Sequence, residues 1–382
     1  MNLVFFDGIP WDYDVATPLE RPLGGSQSAL CYLAVELARR GHAVTLFSGT
    51  RRPGRILGVE CLPHGEVPAP FLSTPLDAFI VLNGPAELGL TFRPHLHPAT
   101  PLVLWTQHAV DQPAMHSLAR PEVRASWDVV VCISEWHRAT MIAHYGLEPT
   151  RVCILRNAIA PVFEGLFASV EELVAAKGDR PVLAYTSTPF RGLDVLLYLF
   201  PEVRRAWPGA ELRVYSSMQV YQVGQEADHH RALYDRCRTL PGVVYLGSRP
   251  QPVLARDLRQ AAILAYPNTF AETGCIAAME AMAAGLLVVS SDLGALPETT
   301  MGFGVLVPPA QGQGDVWGFA SRYYRALDGV LRHWHADPRA FAAQRAAQVR
   351  AVHERCTWRV RAGEWEQALP GWRGLRRGGK EP

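Results

Sequence analysis

The sequence lacks several features that would each have indicated a different class of protein. Its formal net charge is only +1 over 382 residues, so it offers no broad basic surface for nucleic acid. No apolar run approaches the roughly 18 residues of a membrane span. Residues 1–14 lack the basic start and long apolar stretch of a secretory signal. We therefore expect a cytoplasmic protein without a nucleic-acid partner.

Metal and dinucleotide motifs are also missing. The seven cysteines occur singly, with no Cys-x-x-Cys pair, which is typical of reduced, buried thiols. The paired histidines have no third and fourth ligand close by in sequence, so we expect no metal site; these pairs are His95/His97, His229/His230 and His333/His335. The absence of Gly-x-Gly-x-x-Gly argues against a dinucleotide-binding domain. We expect no cofactor.

What the sequence does contain is a regular alternation of strands and helices. Hydrophobic residues make up 48% of the chain and charged residues 19%, enough for large packed cores in two domains. Short apolar runs that end in turn residues predict strands at 3–6, 43–47, 78–82, 102–105, 129–133, 152–155, 182–186, 211–215, 243–246, 263–266, 286–290 and 304–307. With helices between them, these strands predict α/β domains with doubly wound parallel sheets. Ligands of such sheets lie beyond the carboxyl ends of the strands.

Residues 262–298 have the most informative pattern, which predicts strand, polar loop, helix and strand. The helix is expected over 274–284, with Glu272 just before it and Glu280 inside it. Small apolar residues surround Glu280, and a buried carboxylate there needs a hydrogen-bond partner. The two hydroxyls of a ribose diol are suitable partners, because a carboxylate accepts from both.

The start of the same helix is a candidate phosphate site. Its first amides, those of Thr273, Gly274 and Cys275, would point free N–H groups outward. Together with Glu272 and Glu280 they suit the diphosphate, sugar and ribose of a sugar nucleotide. The alternative interpretation is structural, with Glu272 favoured by the helix dipole and Glu280 in a buried ion pair.

Other candidate residues stand at strand ends elsewhere in the chain. Gly24 and Gly25 open a helix and would let a ligand approach the backbone, although turn chemistry explains them equally well. His108 follows the strand at 102–105, where a structural histidine is the alternative. Arg191 follows the strand at 182–186 and has the fork that suits phosphate, or is an exposed arginine in water.

The pattern Glu272-x7-Glu280, followed by Ala281-Met282-Ala283-Ala284-Gly285 and an apolar strand, resembles the donor-binding signature of the family 4 retaining glycosyltransferases. That resemblance implies the GT-B fold, in which two Rossmann-like doubly wound domains face a cleft. It implies an acceptor-side domain at 1–165, a nucleotide-sugar-binding domain at 178–355, and a C-terminal helix at about 358–372 that crosses back to the first domain.

The resemblance also implies a role for each candidate. Glu280 would hold the ribose, while Glu272 and His108 would lie near the transferred sugar and the acceptor. Phosphate contacts would come from Gly24, Gly25, Ser187, Arg191 and the amides of Thr273, Gly274 and Cys275, and Gly247 and Ser248 would hold the base. This chain departs from the family at three places, with Thr186 in place of a cation, Ala158 in place of a glycine, and Ser216-Ser217-Met218 in place of a Gly-Asp-Gly loop.

We therefore expect a metal-independent glycosyltransferase that uses a nucleotide-diphosphate sugar of UDP or GDP type as its donor. The acceptor, whether glycan, lipid, protein or small molecule, is not indicated by the sequence. The basic residues Arg373, Arg376, Arg377 and Lys380 suggest at most weak membrane-surface contact. Two other hypotheses remain: a nucleotide-sugar-binding protein without turnover, which Thr186 favours, and a sugar-nucleotide epimerase.

Overall fold

The computed structural model describes residues 1–65, 67–224 and 226–373, with Gln313 given by its backbone alone. The chain divides into two compact units. The first unit comprises Met1–Pro18, Gly24–Ala158 and the residues from Trp358 on, and the second comprises Leu19–Leu23 and Ile159–Thr357. The predicted basic residues Arg376, Arg377 and Lys380 lie outside the described residues.

Each unit contains one sheet, and fourteen strands are assigned within the described ranges. They are β1 Asn2–Phe6, β2 Ala43–Ser48, β3 Gly54–Ile56, β4 Val59–Pro63, β5 Ala78–Leu82, β6 Leu102–Trp105, β7 Val129–Cys132, β8 Val152–Ile154, β9 Val182–Tyr185, β10 Glu211–Val214, β11 Val243–Tyr245, β12 Ile263–Tyr266, β13 Leu287–Ser291 and β14 Val305–Val307. The first sheet has the order β3-β4-β2-β1-β5-β6-β7-β8, and the second β11-β10-β9-β12-β13-β14.

All strand pairs in both sheets are parallel except β3 with β4. Most of the central strands, among them β5, β6, β9 and β12, are buried along their whole length. That burial is expected of parallel sheets, whose two faces are covered by crossover helices. It explains why these strands read as continuous apolar runs in the sequence.

The helices alternate with these strands. They are α1 Thr17–Glu20, α2 Gly25–Arg39, α3 Ala69–Ser73, α4 Leu88–Phe92, α5 Pro121–Ser126, α6 Glu135–Tyr145, α7 Val170–Lys177, α8 Leu193–Ala206, α9 Arg231–Thr239, α10 Gln251–Leu258, α11 Ile276–Ala283, α12 Leu296–Thr300, α13 Val316–Ala336, α14 Pro338–Ala343, α15 Arg345–Arg355 and α16 Trp358–Trp372. Short 3-10 helices lie at Pro113–Ala119, Pro149–Arg151, Pro161–Phe163, Met218–Tyr221 and Gln313–Asp315.

The last helix, α16, belongs to the first unit. The ring of Trp365 is fully buried, with its centroid 5.1 Å from that of Trp105 and 6.2 Å from that of Phe5. At the rim of this contact, Glu366 accepts from Arg40. Burying one tryptophan removes on the order of 200 Å² from water, which contributes several kcal/mol at about 25 cal/mol per Å². Helix α16 is therefore part of the core that stabilises the first sheet.

Two features of the described residues differ from the sequence-based expectations. Helix α11 begins at Ile276, two residues later than expected, because Glu272 pairs with Gly294 in an isolated bridge and Cys275 is still extended. The antiparallel hairpin of β3 and β4 was not predicted. Its strands are short and lie at the sheet edge, where a clear hydrophobic alternation is not required.

Candidate active site

The loops that follow β9 and β12 meet at the carboxyl edge of the second sheet. Gly192, at the start of α8, has φ +99°, and a Cβ at this position would overlap the carbonyl group of Pro267. Only glycine allows both this backbone conformation and so close an approach. The contact brings Arg191, in the loop after β9, next to the residues that follow β12.

Arg191 forms an ion pair with Glu272. Its Nη1 donates to Oε1 of Glu272 at 2.7 Å, and its guanidinium lies 4.4 Å from the ring centroid of Phe270. Burial lowers the pKa of Arg191, but the charge of Glu272, together with smaller contributions from Tyr266 and other neighbours, raises it by more in total. The pKa of Arg191 is therefore well above its ordinary value. The structure thus brings together two residues that were predicted separately.

The same oxygen of Glu272 accepts a second hydrogen bond. The hydroxyl of Tyr266 donates to Oε1 at 2.5 Å, whereas Oε2 has no hydrogen bond within the described residues. The backbone of Glu272 is also fixed, because its carbonyl accepts from Ala295 at 2.7 Å. Gly294, at φ +69°, packs so closely on this backbone that a Cβ would overlap it. Glu272 is 4% exposed and is held from several sides.

Glu280 lies inside α11 and is likewise 4% exposed. Its Oε1 accepts from the backbone N–H of Ala160 at 3.2 Å, and within the described residues it has no ion pair. The structural alternative of a buried ion pair is therefore wrong. Burial raises the pKa of Glu280 to about 8, with hydrogen bonds from Ala160 and the Gln251 side chain opposing the rise. At neutral pH this carboxyl is mostly protonated.

The start and the end of α11 differ in how they are held. Cys275 is the N-cap and makes no side-chain capping bond, so the segment Thr273–Gly274–Cys275 precedes a helix whose first amides lack a side-chain cap. At the other end, the fully buried ammonium of Lys177 donates to the carbonyl of Ala284 at 2.5 Å. Burial lowers the pKa of Lys177 well below its ordinary value. Lys177 thus anchors the end of this helix, whereas Cys275 at its start makes no side-chain capping bond.

Three other predicted residues lie in the loops of this unit. Ser187 has its hydroxyl 3.4 Å from that of Tyr266, next to the Glu272 contact. Gly247 adopts φ +65° in the turn after β11, and Ser248 accepts from the hydroxyl of Ser217 at 2.8 Å. In the described part of the chain, no side-chain hydrogen bond joins Gly247 or Ser248 to the group around Glu272, so these residues form two separate sets.

The first unit has its own predicted residues. Gly24 caps α2 without a side-chain bond at φ −58°, and Gly25 is the first helical residue, so here glycine is not required by the backbone conformation. His108 follows β6, and its carbonyl accepts from Nε2 of His137 at 2.9 Å. Its own Nδ1 is buried without a hydrogen-bond partner in the described part of the chain. Burial lowers the pKa of His108, which favours the neutral ring.

Several residues that contact the predicted site residues were not predicted from the sequence. Tyr266 ends the apolar strand β12 and was assigned only to the strand. Gln251 and Ala160 reach Glu280 from 29 and 120 positions away. The polar hydroxyl of Tyr266 at a strand end was a usable signal, whereas nothing in the sequence marks the other two.

Two kinds of feature are absent from the described residues. In 1–65, 67–224 and 226–373, no group of three or more His, Cys, Asp or Glu side chains could hold a metal ion. Over the same ranges, no helix is long and apolar enough to cross a membrane.

Comparison with known proteins gives the family. The model described as glycosyl transferases group 1 matches residues 180–328, and the model described as glycosyltransferase family 4 matches residues 23–162. This chain belongs to the group 1 glycosyltransferases of family 4. The two matched segments of this glycosyltransferase contain the residue pairs Arg191 with Glu272 and His108 with His137.

Curated relatives of this glycosyltransferase are identical to it at about a quarter of the aligned positions. The D-inositol 3-phosphate glycosyltransferase of Corynebacterium efficiens is 24% identical over 332 residues, which cover 74% of this chain and 78% of the relative. A phosphatidylinositol N-acetylglucosaminyltransferase subunit from Arabidopsis thaliana is 26% identical over 174 residues. That alignment covers 46% of this chain and 37% of the plant protein, so the chain matches little more than a third of that relative.

Solved structures give the fold of this glycosyltransferase as GT-B. Sucrose-phosphate synthase from Thermosynechococcus elongatus superposes with a TM-score of 0.71 at 18% identity, covering 97% of this chain and 99% of the other. HepE from Anabaena, solved in complex with UDP-glucose, superposes with a TM-score of 0.63 at 14% identity, covering 97% and 100%. The predicted fold class, with two Rossmann-like units, is confirmed.

Proposed function

We propose that this chain transfers a sugar from a nucleotide-diphosphate donor to an acceptor hydroxyl, with retention at the anomeric carbon and without a metal ion. The observation that carries the proposal is the ion pair of Arg191 with Glu272 at the carboxyl edge of the second sheet. It places a fixed cation beside a fixed carboxylate in the loops where a doubly wound sheet binds its ligand.

Arg191 is suited to the leaving diphosphate. Among the side-chain nitrogens of Arg191, Nη1 donates to Glu272. Nε is buried without a hydrogen-bond partner among the described residues. The edge formed by Nε and Nη2 therefore remains for a bidentate contact with phosphate. Charge develops on the diphosphate as the glycosidic bond breaks, and a preorganised cation stabilises it. The amides of Thr273, Gly274 and Cys275, and the hydroxyl of Ser187, would add further donors.

The two acids would contact the sugar and the ribose. Oε2 of Glu272, which is not used inside the described part of the protein, would accept from hydroxyls of the transferred sugar. Glu280 would take the ribose hydroxyls, and their hydrogen bonds would favour its ionised form. The diol would thereby offset part of the burial that now raises the pKa of Glu280.

In the first unit, His108 would contact the sugar or the acceptor. The hydrogen bond from His137 to its carbonyl fixes its backbone, and its Nδ1, unpartnered among the described residues, is available for a hydroxyl. The uncapped start of α2 at Gly24 and Gly25 would add amide donors for the donor phosphates.

The names of similar proteins support a first choice of substrates. HepE was solved with UDP and with UDP-glucose, which favours a UDP donor over a GDP donor. Two relatives are named for inositol 3-phosphate, so inositol 3-phosphate is the first acceptor to test.

The test starts with binding. We expect UDP or GDP to raise the melting temperature of the purified protein, because a ligand stabilises the state that it binds. Incubation with UDP-glucose, UDP-N-acetylglucosamine and GDP-mannose, with and without inositol 3-phosphate, is then followed by release of the nucleoside diphosphate. EDTA in a parallel series tests metal independence, and the NMR coupling of the product's anomeric proton tests retention.

Three outcomes would lead to other conclusions. Stabilisation by a nucleotide without any release would indicate a binding protein without turnover. An epimerised sugar formed in the absence of acceptor would indicate an epimerase. No stabilisation by any nucleotide would place the site elsewhere and overturn the proposal.

A further inference from the structure

Tyr266 is a buried residue whose hydroxyl donates to Glu272, the carboxylate proposed to contact the transferred sugar. It is the last residue of β12, it is 1% exposed, and it pairs in register with Ser290 of β13. Its ring packs edge-on against Tyr185, with centroids 5.8 Å apart. Close packing around a side chain that is buried in this way restricts its movement.

The direction of its hydrogen bonds follows from the chemistry of the groups. A phenol has a single proton with which to donate a hydrogen bond, and at 2.5 Å this hydrogen bond goes to the carboxylate of Glu272. The hydroxyl of Ser187, 3.4 Å away, must then donate to Tyr266. Burial, and the charge of Glu272, raise the pKa of Tyr266 well above its ordinary value, so the donor remains protonated at any working pH.

Tyr266 and Arg191 approach the same oxygen of Glu272. With both donors on Oε1, the carboxylate cannot rotate without losing two charge-assisted hydrogen bonds. We infer that Tyr266 is a positioning residue, which together with Arg191 fixes the carboxylate of Glu272 so that Oε2 faces the sugar of the donor. This inference rests on the proposed function, because it assigns Oε2 to the substrate.

The variant Tyr266→Phe removes one O–H and keeps the ring. Because the lost bond goes to a charged group, we expect kcat for release of UDP from UDP-glucose to fall about 10- to 100-fold. The affinity for UDP itself should change less than about 3-fold, since the inference assigns the hydroxyl to Glu272 and not to the nucleotide. A matched control is Tyr234→Phe, another buried tyrosine of the same unit, whose hydroxyl donates to the carboxylate of Asp228 at 2.8 Å. We expect a similar loss of stability there, with kcat unchanged.

A double-mutant cycle tests whether Tyr266 acts through Glu272. In a Glu272→Gln background, adding Tyr266→Phe should lower kcat by less than about 2-fold, because the carboxylate that it positions is gone. An equal loss in both backgrounds would overturn the inference, as would a Tyr266→Phe enzyme with the kcat of the wild type.

The inference and the proposed function fail in different ways. If the wild type releases no nucleotide from UDP-glucose, UDP-N-acetylglucosamine or GDP-mannose, the proposed function is overturned, and the inference with it. If the wild type turns over and Tyr266→Phe turns over equally well, only the role of Tyr266 is overturned.

Discussion

Glu280 gives a quantitative prediction about pH. Replacing it by glutamine keeps the shape of the side chain and an oxygen that accepts from Ala160, but removes the ionisable proton. The pKa of Glu280 is 4.5 in the unfolded chain, whereas burial raises it to about 8 in the folded protein. Between these two values the unfolded state loses a proton that the folded state keeps, so the stability of the wild type falls as pH rises.

The magnitude follows from the size of that interval. At 1.36 kcal/mol per pH unit, a rise in pKa from 4.5 to about 8 corresponds to as much as about 5 kcal/mol. A stability difference of 1 kcal/mol shifts the melting temperature of a unit of this size by about 2–4 °C. Glu280→Gln and the wild type should therefore melt together near pH 4.5, and the variant should melt about 10 °C higher at pH 8.

Differential scanning calorimetry from pH 4.5 to 8 measures this gap, with the exposed Glu354 replaced by glutamine as the control. Binding adds a second readout, because ribose hydroxyls that donate to Glu280 should release protons when UDP binds at pH 7. Calorimetric titration in buffers of different ionisation enthalpy counts these protons, and none should be released by Glu280→Gln. A gap that does not change with pH would refute the reasoning.

Three further predictions concern other parts of the molecule. Arg191→Lys keeps the charge but loses the fork, and we expect nucleotide release to slow at least about 10-fold in steady-state assays. Gly294→Ala should cost more than about 2 kcal/mol in urea unfolding and abolish turnover, because the new Cβ overlaps the backbone of Glu272. Gly302→Ala, at a similar φ but with nothing within 4 Å, should cost only about 1 kcal/mol. In the first unit, burial lowers the pKa of His137 to about 4. Between pH 6.5 and 4, His137 is therefore protonated in the unfolded chain but neutral in the folded protein. Relative to His137→Gln, the wild type should lose about 3 kcal/mol between pH 6.5 and 4, measured from urea midpoints of both proteins at each pH.

Each of these has a contrary result. Full turnover by Arg191→Lys would mean that no bidentate phosphate contact is made. Equal losses at Gly294 and Gly302 would attribute the whole effect to the backbone conformation and none to Glu272. An acid loss of the same size in His137→Gln would come from another buried group, such as His108, whose pKa burial also lowers.

The strands were predictable because buried parallel strands have a simple sequence signature. Strands such as β9 and β12 are four-residue apolar runs that end in polar or turn residues, and the predicted runs at 182–186 and 263–266 match them within one residue. The start of α11 was misplaced because a tertiary contact, the bridge of Glu272 with Gly294, keeps the preceding residues extended. Local pattern does not contain that information.

The candidate site was predictable residue by residue but not as an arrangement. Glu272 was predicted from its place just before a helix and Arg191 from its place after a strand, whereas their ion pair depends on how two loops meet at Gly192. Glu280 was predicted to need a partner, and the partner is a backbone N–H 120 positions away at Ala160. A backbone donor has no side-chain signature, so no sequence pattern could have named it.

The return of α16 to the first unit has a consequence for how the molecule is made. Trp105 lies in a strand near the start of the chain, yet its neighbour Trp365 is translated some 260 residues later. A ribosome-bound nascent chain that ends before Trp358 would expose this aromatic surface, and the second unit would be free to fold first. Fragments cut between the units should consequently aggregate unless α16 is supplied as a peptide.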